Sequence, residues 1–375
     1  MKTSKWAIAE FGDIHLGHPR TPTALIVDNL WKALPDNAQT SELDLVILAG
    51  DIFDRQIPFS DDNTVYVHLW IHSLLKLCVK HGIILRVLEG TRSHDWGQPR
   101  EIVRLNGTYG IGADVRYIDT LELEWIAPLE MRVLWVPDEY RVKAIDTQRE
   151  VESLLSEKGW DKVDFTVLHG MFTHQAPPGA QGKLDTHDPQ WYQSITRYFV
   201  FGAHIHQQSV YGNILAAASF DRLSHGDEGP KGHYRVFVHS DGTANSVHVE
   251  NKGAKIYKSF NVPIMGAEEA IKWILKRVEG YPEGSAFRLV GELQNPAMGI
   301  LSALRELKPE FEWSEKPISK ETDSLPLLVD RRAGIPFIPI TRESIVELTL
   351  ARLKTLTLKD RLDRPEALLK EVLND

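Results

Sequence analysis

Two short clusters, Gly12-Asp13-Ile14-His15 and Gly50-Asp51-Ile52-Phe53-Asp54, set acids, and in the first an imidazole, directly after apolar runs. Those runs, Trp6-Ala7-Ile8-Ala9-Glu10-Phe11 and Leu43-Asp44-Leu45-Val46-Ile47-Leu48, read as buried strands. A carboxylate and an imidazole two positions apart at a strand's carboxyl end cannot both sit in a core, where unpaired charge is costly. They belong at a crevice, where open α/β sheets hold their ligands. His169, His204 and His206 also follow strand-like segments, which completes a set suited to two divalent metals. Two neighbouring ions need a bridging ligand, and a carboxylate, with two oxygens, serves best. Asp51, on a tight Gly-Asp turn, is the candidate bridge. Mixed imidazole and carboxylate ligation favours Mn²⁺, Fe²⁺ or Zn²⁺ over Mg²⁺. One Asp or His at a strand end is commonly a turn or capping residue; six in ordered clusters are not.

The elements that must position these groups follow from the pattern. Helices are expected over 24–34 and 60–81, the second stopped by Gly82, with a strand over 83–88 delivering Thr91 to Asp95 to the same edge. Such alternation indicates a mainly parallel sheet with crossover helices. From Val115 the character turns toward β, with a helix over 146–158. Strands over 165–168 and 198–201 end on the histidine motifs, and antiparallel strands are expected over 214–219, 233–239 and 246–250. After Gly253 a second unit begins: strand 256–262, helix 267–278, strand 286–293, helix 295–307 and strand 311–313. Residues 317–340 are polar and then Pro-rich, a linker pattern. Apolar stripes (Val346, Leu350, Leu353, Leu356; then Leu368, Leu369, Val372, Leu373) mark a final helical pair.

Composition bounds the answer. The chain has 375 residues, 42% apolar and 25% charged, which fits a soluble protein of two or three domains. No run of eighteen apolar residues suggests a membrane span. The start, Met1-Lys2-Thr3-Ser4-Lys5, leads into a strand pattern rather than a signal region, so a cytoplasmic location is expected. The single Cys78 cannot form an internal disulfide and reads as a buried thiol. A net charge of −9 runs against strong phosphate binding and predicts modest DNA affinity for the isolated chain.

The residues carry a family resemblance. Asp13-Ile14-His15, Gly50-Asp51, Ser93-His94-Asp95, Leu168-His169-Gly170 and His204-Ile205-His206 resemble, in order, the five motifs of the calcineurin-like metallophosphoesterases. Ser219-Phe220-Asp221-Arg222-Leu223-Ser224-His225-Gly226, followed by Lys231-Gly232, resembles the segment behind the active site in SbcD-type nucleases. Those pair with an SMC-like ATPase in double-strand-break processing. Phage recombination nucleases of this group are similar in length and in the Gly-Thr-x-Ser-His-Asp form of the third motif. The likeness covers roughly residues 5–250 well and the rest in outline.

The resemblance implies an α/β fold of two packed mixed β-sheets flanked by helices, in four layers, with a small α+β capping domain and C-terminal helices. It divides the chain into a nuclease domain (1–252), a capping domain (253–316), a linker (317–340) and a helical ATPase-binding segment (341–375). One metal would take Asp13, His15, Asp51 and His206; the other Asp51, His169, His204 and the third-motif residue. The usual third motif is Gly-Asn-His-Asp, with Asn as ligand. Here Ser93 stands where Asn is expected, in a loop two residues longer, and is a poorer ligand. Ala203 replaces the glycine usual before the histidine pair. His94 is assigned as general acid for the leaving 3′ oxygen; Asp95 either orients that imidazole or caps the loop. Arg55 and Arg92 are candidates for DNA phosphate contacts and Trp96 and Tyr140 for base stacking, against surface or packing roles for each.

The leading expectation is a DNA nuclease, exonuclease or endonuclease, using two divalent ions, foremost Mn²⁺. Its expected partners are DNA, an SMC-like ATPase bound through the C-terminal helices, and a second copy of the chain. Alternatives are a nucleotide or cyclic-nucleotide phosphodiesterase or a protein phosphatase on the same site, and a weakly active scaffold that clamps DNA.

Overall fold

A computed structural model describes residues 4–138, 141–180, 182–292, 294–295 and 297–318. The linker beyond 318, the helical segment 341–375 and Tyr140 lie outside the described residues.

In chain order the strands are β1 (Ser4–Phe11), β2 (Leu45–Leu48), β3 (Ile84–Leu88), β4 (Val115–Ile118), β5 (Glu122–Ile126), β6 (Met131–Val136), β7 (Val163–His169), β8 (Thr196–Ala203), β9 (Ser209–Tyr211), β10 (Ile214–Ala216), β11 (Gly232–His239), β12 (Ala244–Glu250), β13 (Tyr257–Asn261), β14 (Ala286–Glu292) and β15 (Glu312–Ile318). The helices are α1 (Thr23–Ala33), α2 (Ala38–Ser41), α3 (Asn63–His81), α4 (Arg92–Asp95), α5 (Arg100–Thr108), α6 (Ala144–Lys158), α7 (Pro189–Ile195), α8 (Ala267–Val278) and α9 (Leu301–Leu307).

Two six-stranded mixed sheets form, ordered β12-β11-β1-β2-β3-β4 and β5-β6-β7-β8-β10-β9. The pleat of β1 explains how they stack. Ala7, Ala9 and Phe11 face a core shared with α1 and α3, while Trp6 and Ile8 face the other sheet's Phe165, Val167 and Phe201. A third core joins Leu134, Leu168 and Val200 to Val151 and Leu155 of α6 and Tyr192 of α7. Three cores separate four layers, helix, sheet, sheet, helix. Strands β2 and β3 are buried on both faces, as covered parallel strands must be. α3 buries Val67, Trp70, Ile71, Leu74, Leu75 and Cys78 at helical spacing and ends at Gly82, whose φ of 68° suits glycine.

A separate three-stranded parallel sheet, β13-β14-β15, packs α8 and α9 over Phe287, Leu289 and Trp313. It sits against the segment after His15: Lys255 Nζ donates to Arg20 O (2.6 Å) and Glu312 Oε1 (2.6 Å). Behind it, the buried Asp221 accepts from Asn29 Nδ2 and from the backbone N–H of Lys255 (2.8 Å each).

Two local expectations change. The helix expected from Asn295 begins at Leu301, because Asn295 Nδ2 is taken by the carbonyls of Val262 and Pro263 and the chain turns at Gly299. β10 runs parallel to β8 and only its pairing with β9 is antiparallel. No described helix is long and apolar enough to cross a membrane.

Candidate metal centre

The site lies where the carboxyl ends of β1, β2, β3, β7 and β8 meet. The loops after β1 and β2 run side by side: the N–H groups of Asp13, His15 and Leu16 bond the carbonyls of Gly50, Asp51 and Ile52 at 3.0, 2.9 and 2.8 Å. This ladder turns side chains that would face the core toward the crevice. It does so through strain. Asp13, His15, Asp51 and His204 have φ of 51°, 55°, 48° and 92°, four of the seven non-glycine residues with positive φ among those described. Such backbone is costly and persists where the surroundings over-determine it. Close approach also fixes the glycines. A Cβ on Gly50 would meet His169 Nδ1 at 2.4 Å, one on Gly90 would meet Asp51 N at 2.0 Å, and one on Gly12 would meet the Ala203 methyl at 2.8 Å. Ala203 is thus accommodated by Gly12, directly after β1.

Two sets of side chains converge. In the first, Asp13, His15 and His206 bring one ligand atom each within 4.8 Å of one another. His15 Nε2 and His206 Nε2 stand 3.1 Å apart, and Asp13 Oδ1 lies 3.9 Å from His206 Nε2. Two ring nitrogens at that distance need a proton or a cation between them. In the second set, Asp51, His169 and His204 converge in the same way. Asp51 joins the two: Oδ2 is 3.8 Å from His15 Nε2 and Oδ1 is 3.3 Å from His169 Nε2. The carboxylate offers one oxygen to each side. Burial works against ionisation of Asp51, yet the imidazoles of His169, His15 and His94 hold its carboxyl well below the usual range. Burial likewise works against charge on His169, and Asp51 overrides it to raise that imidazole. His204 is lowered, by burial and by His169. A donor set of buried carboxylates and convergent imidazoles could hold a metal ion.

The third motif is corrected. Ser93 is exposed in the single turn α4. Thr91 takes the expected place: its hydroxyl donates to Asp51 Oδ2 (3.2 Å) and lies 3.3 Å from both His169 Nε2 and His204 Nδ1. The physical reason is that Gly90 is pressed on Asp51, so the residue directly after it faces the centre, and the two extra residues bulge outward beyond. Of the two readings of Asp95, its contacts fit the loop cap. It is fully buried, and its oxygens accept from the N–H groups of Phe53 (2.9 Å) and Gly90 (2.8 Å). It braces the two loops and does not orient His94. That is done by the Asp54 carbonyl, which accepts from His94 Nδ1 (2.8 Å) and leaves Nε2 free. His94 groups with His15 and Asp51.

Several supporting residues escaped the sequence reading. Asp54 Oδ1 lies 3.2 Å from His15 Nδ1, the kind of carboxylate contact that holds an imidazole in one orientation. Asp227 Oδ2 lies 3.9 Å from His206 Nδ1, and the buried Lys231 Nζ donates to His206 O (2.8 Å), so the segment after Ser219 braces the His206 backbone. The signal was an acid three residues after Asp51 and a Lys within a singled-out segment. Glu10 is buried beneath the loop, and neither oxygen has a hydrogen-bond partner among the described residues; burial, then Asp13, pushes its carboxyl up to about 8. Arg55 is committed to Gly17 O (3.0 Å) and Asp61 Oδ2 (2.9 Å), whereas Arg92 is exposed and has no ion pair among the described residues.

No family model matches the sequence, and no curated protein matches it. Among solved structures, TT1561 of Thermus thermophilus aligns at a TM-score of 0.37 and 10% identity, over 65% of this chain and 98% of that one. A second aligns at 0.38 and 10%, over 64% and 98%.

Proposed function

We propose that the protein is a metal-dependent DNA nuclease, hydrolysing phosphodiester bonds at a centre of two divalent ions, foremost Mn²⁺. The observation that carries this reading is the Asp51 carboxylate, one oxygen turned to His15 and the other to His169. Asp13, His15, Asp51 and His206 would hold one ion, and Asp51, Thr91, His169 and His204 the other. Ions bound there supply charge neutralisation of the phosphate and acidify a water into a nucleophile near neutral pH. The chain's own residues do the rest. Asp54, 3.2 Å from His15 Nδ1, would hold that imidazole in orientation, and Asp227, 3.9 Å from His206 Nδ1, would add negative charge beside the other. His94, held at Nδ1, presents Nε2 and can give a proton to the departing oxygen. The scaffold alternative draws its support from a neutral hydroxyl, Ser93 or Thr91, where an amide is usual; the six Asp and His side chains that converge favour the active enzyme.

The wider reading is DNA recombination, repair or degradation in the cytoplasm of a bacterium or phage-infected host. An SMC-like ATPase would be held by residues 341–375, and a second copy of the chain by the helices near the site. For the second copy, Val65, Tyr66 and Leu69 of α3 share one exposed face. The test is incubation of end-labelled DNA with Mn²⁺, with and without chelator, and reading of product lengths. Cleavage is expected with Mn²⁺ alone. Undiminished cleavage by metal-stripped protein would overturn the metal-dependent mechanism, and an absence of any cleavage with Mn²⁺ would overturn the nuclease reading.

A further inference from the structure

A cleft of about 1310 Å³ opens beside the metal centre and reaches it at Gly90. It exceeds the roughly 300–1,000 Å³ of sites for single small molecules, so an extended occupant suits it better than a mononucleotide. Its wall is the bulge made by the two extra residues of the third motif. That bulge ends on Trp96, whose φ of 51° is unusual for an aromatic residue, followed by Gly97 at 71°. The turn is pinned from three sides. Trp96 Nε1 donates to Ser93 O (2.8 Å), Trp96 N to Arg92 O (3.2 Å), and Gly97 N to Glu89 Oε1 (2.8 Å). The indole N–H is therefore satisfied internally while the residue stays 56% exposed at the cleft. Strain that holds an apolar ring in water gains nothing for the fold. It suits a partner with a flat face.

The charges narrow that partner. Arg100 and Arg104 line the cleft but are paired with Asp119 (2.7 Å) and Glu101 (2.5 Å). Glu89 is engaged by Gly97 and by Tyr117 Oη (2.6 Å), and Asp138 lies at the metal end. Arg92, at the mouth, is left to meet an anion.

We propose that this cleft is the path of a single DNA strand, with Trp96 stacking on an unpaired base and Arg92 meeting a backbone phosphate. Stacking needs a base already free of its duplex, which is why the strand is single. The proposal rests on the nuclease reading and names the form of its substrate.

The test is fluorescence anisotropy of a labelled oligothymidylate, and of a duplex of equal length, with the full chain in chelator across a salt series. Wild type is expected to bind the single strand more tightly. Trp96→Ala should weaken single-strand binding about 5- to 150-fold, the factor for one lost stacked base, with Trp96→Phe recovering most of it. Arg92→Ala should reduce the slope of log affinity against log salt by about 0.7, one single-strand phosphate contact, and Arg92→Lys should restore it. In Mn²⁺, the ratio of kcat/KM for the oligothymidylate to that for bis-p-nitrophenyl phosphate should fall in Trp96→Ala. An equal fall on both substrates would make Trp96 structural and overturn the proposal. Full single-strand affinity in Trp96→Ala, or an unchanged slope in Arg92→Ala, would do the same, as would tighter binding of the duplex. Should Trp96→Ala fail to fold, the Arg92 slope decides. If wild type in Mn²⁺ cleaves bis-p-nitrophenyl phosphate but no DNA, the nuclease reading itself has failed, whatever the variants do.

Discussion

The hydroxyl of Thr91 donates to Asp51 Oδ2 at 3.2 Å, placing an uncharged oxygen between the shared carboxylate and the imidazoles of His169 and His204. A neutral hydroxyl is a weak donor to a metal, so this side of the centre should be the weaker one. Thr91→Ala is expected to lower affinity for one ion about 10–100-fold, the scale seen when a metal's supporting contacts are cut. Thr91→Asn should hold it as well or better, and Ser93→Ala should change nothing. Calorimetric Mn²⁺ titration of the three variants checks this. A loss in Ser93→Ala with none in Thr91→Ala would restore Ser93 as the ligand.

His94 should separate chemistry from metal binding. Its Nδ1 is spent on the Asp54 carbonyl, and only Nε2 faces the site. His94→Ala is expected to cut the cleavage rate by about 10²–10⁴-fold while leaving both ions bound. Single-turnover kinetics beside metal analysis give both numbers. Loss of an ion would make His94 a ligand.

Asp95 is a structural brace, and its removal should read as stability. Asp95→Ala leaves the buried N–H groups of Phe53 and Gly90 without acceptors, an expected cost of about 1–3 kcal/mol for each group left unsatisfied. Urea denaturation of metal-free protein measures it. A stable variant that has lost only cleavage would return Asp95 to a catalytic role.

Glu10 sets a pH dependence. Its carboxyl is raised to about 8 in the fold, by burial and then by Asp13, from an ordinary value of 4.5. Between those values the folded chain binds more protons than the unfolded one. The contribution of Glu10 is thus fully present below pH 4.5 and lost as pH rises through 8, by about 1.4 kcal/mol per pH unit. Glu10→Gln, which cannot ionise, should match wild type at pH 5 and exceed it at pH 8. Urea midpoints of the two metal-free proteins across that range test the sign. Parallel curves would show that Glu10 is ionised in the fold.

What could be read from the chain was set by how local the cause was. Asp13, His15, Asp51, His169, His204 and His206 were legible because charged and imidazole groups after apolar runs have nowhere else to go. A sheet with crossover helices was legible from the apolar runs and the stripe over 60–81, while the two-sheet, four-layer arrangement was an expectation from the family resemblance. Thr91 was not, because counting back from His94-Asp95 lands on Ser93. Only the contact of Gly90 with Asp51 shows that the register is fixed from the glycine side. Asp227 is 21 residues from His206 in the chain, and no local pattern ties the two. The two readings of Asp95 could not be separated in sequence, because burial and backbone donors are invisible there.

The central claim is that Asp51 serves two ions at once. Counting Mn²⁺ bound per chain by calorimetry in wild type, His169→Ala and Asp51→Ala tests it directly. The expected counts are two, one and none at micromolar ion, with DNA cleavage present only in wild type. Asp51→Ala that still binds two ions and still cleaves would contradict the account.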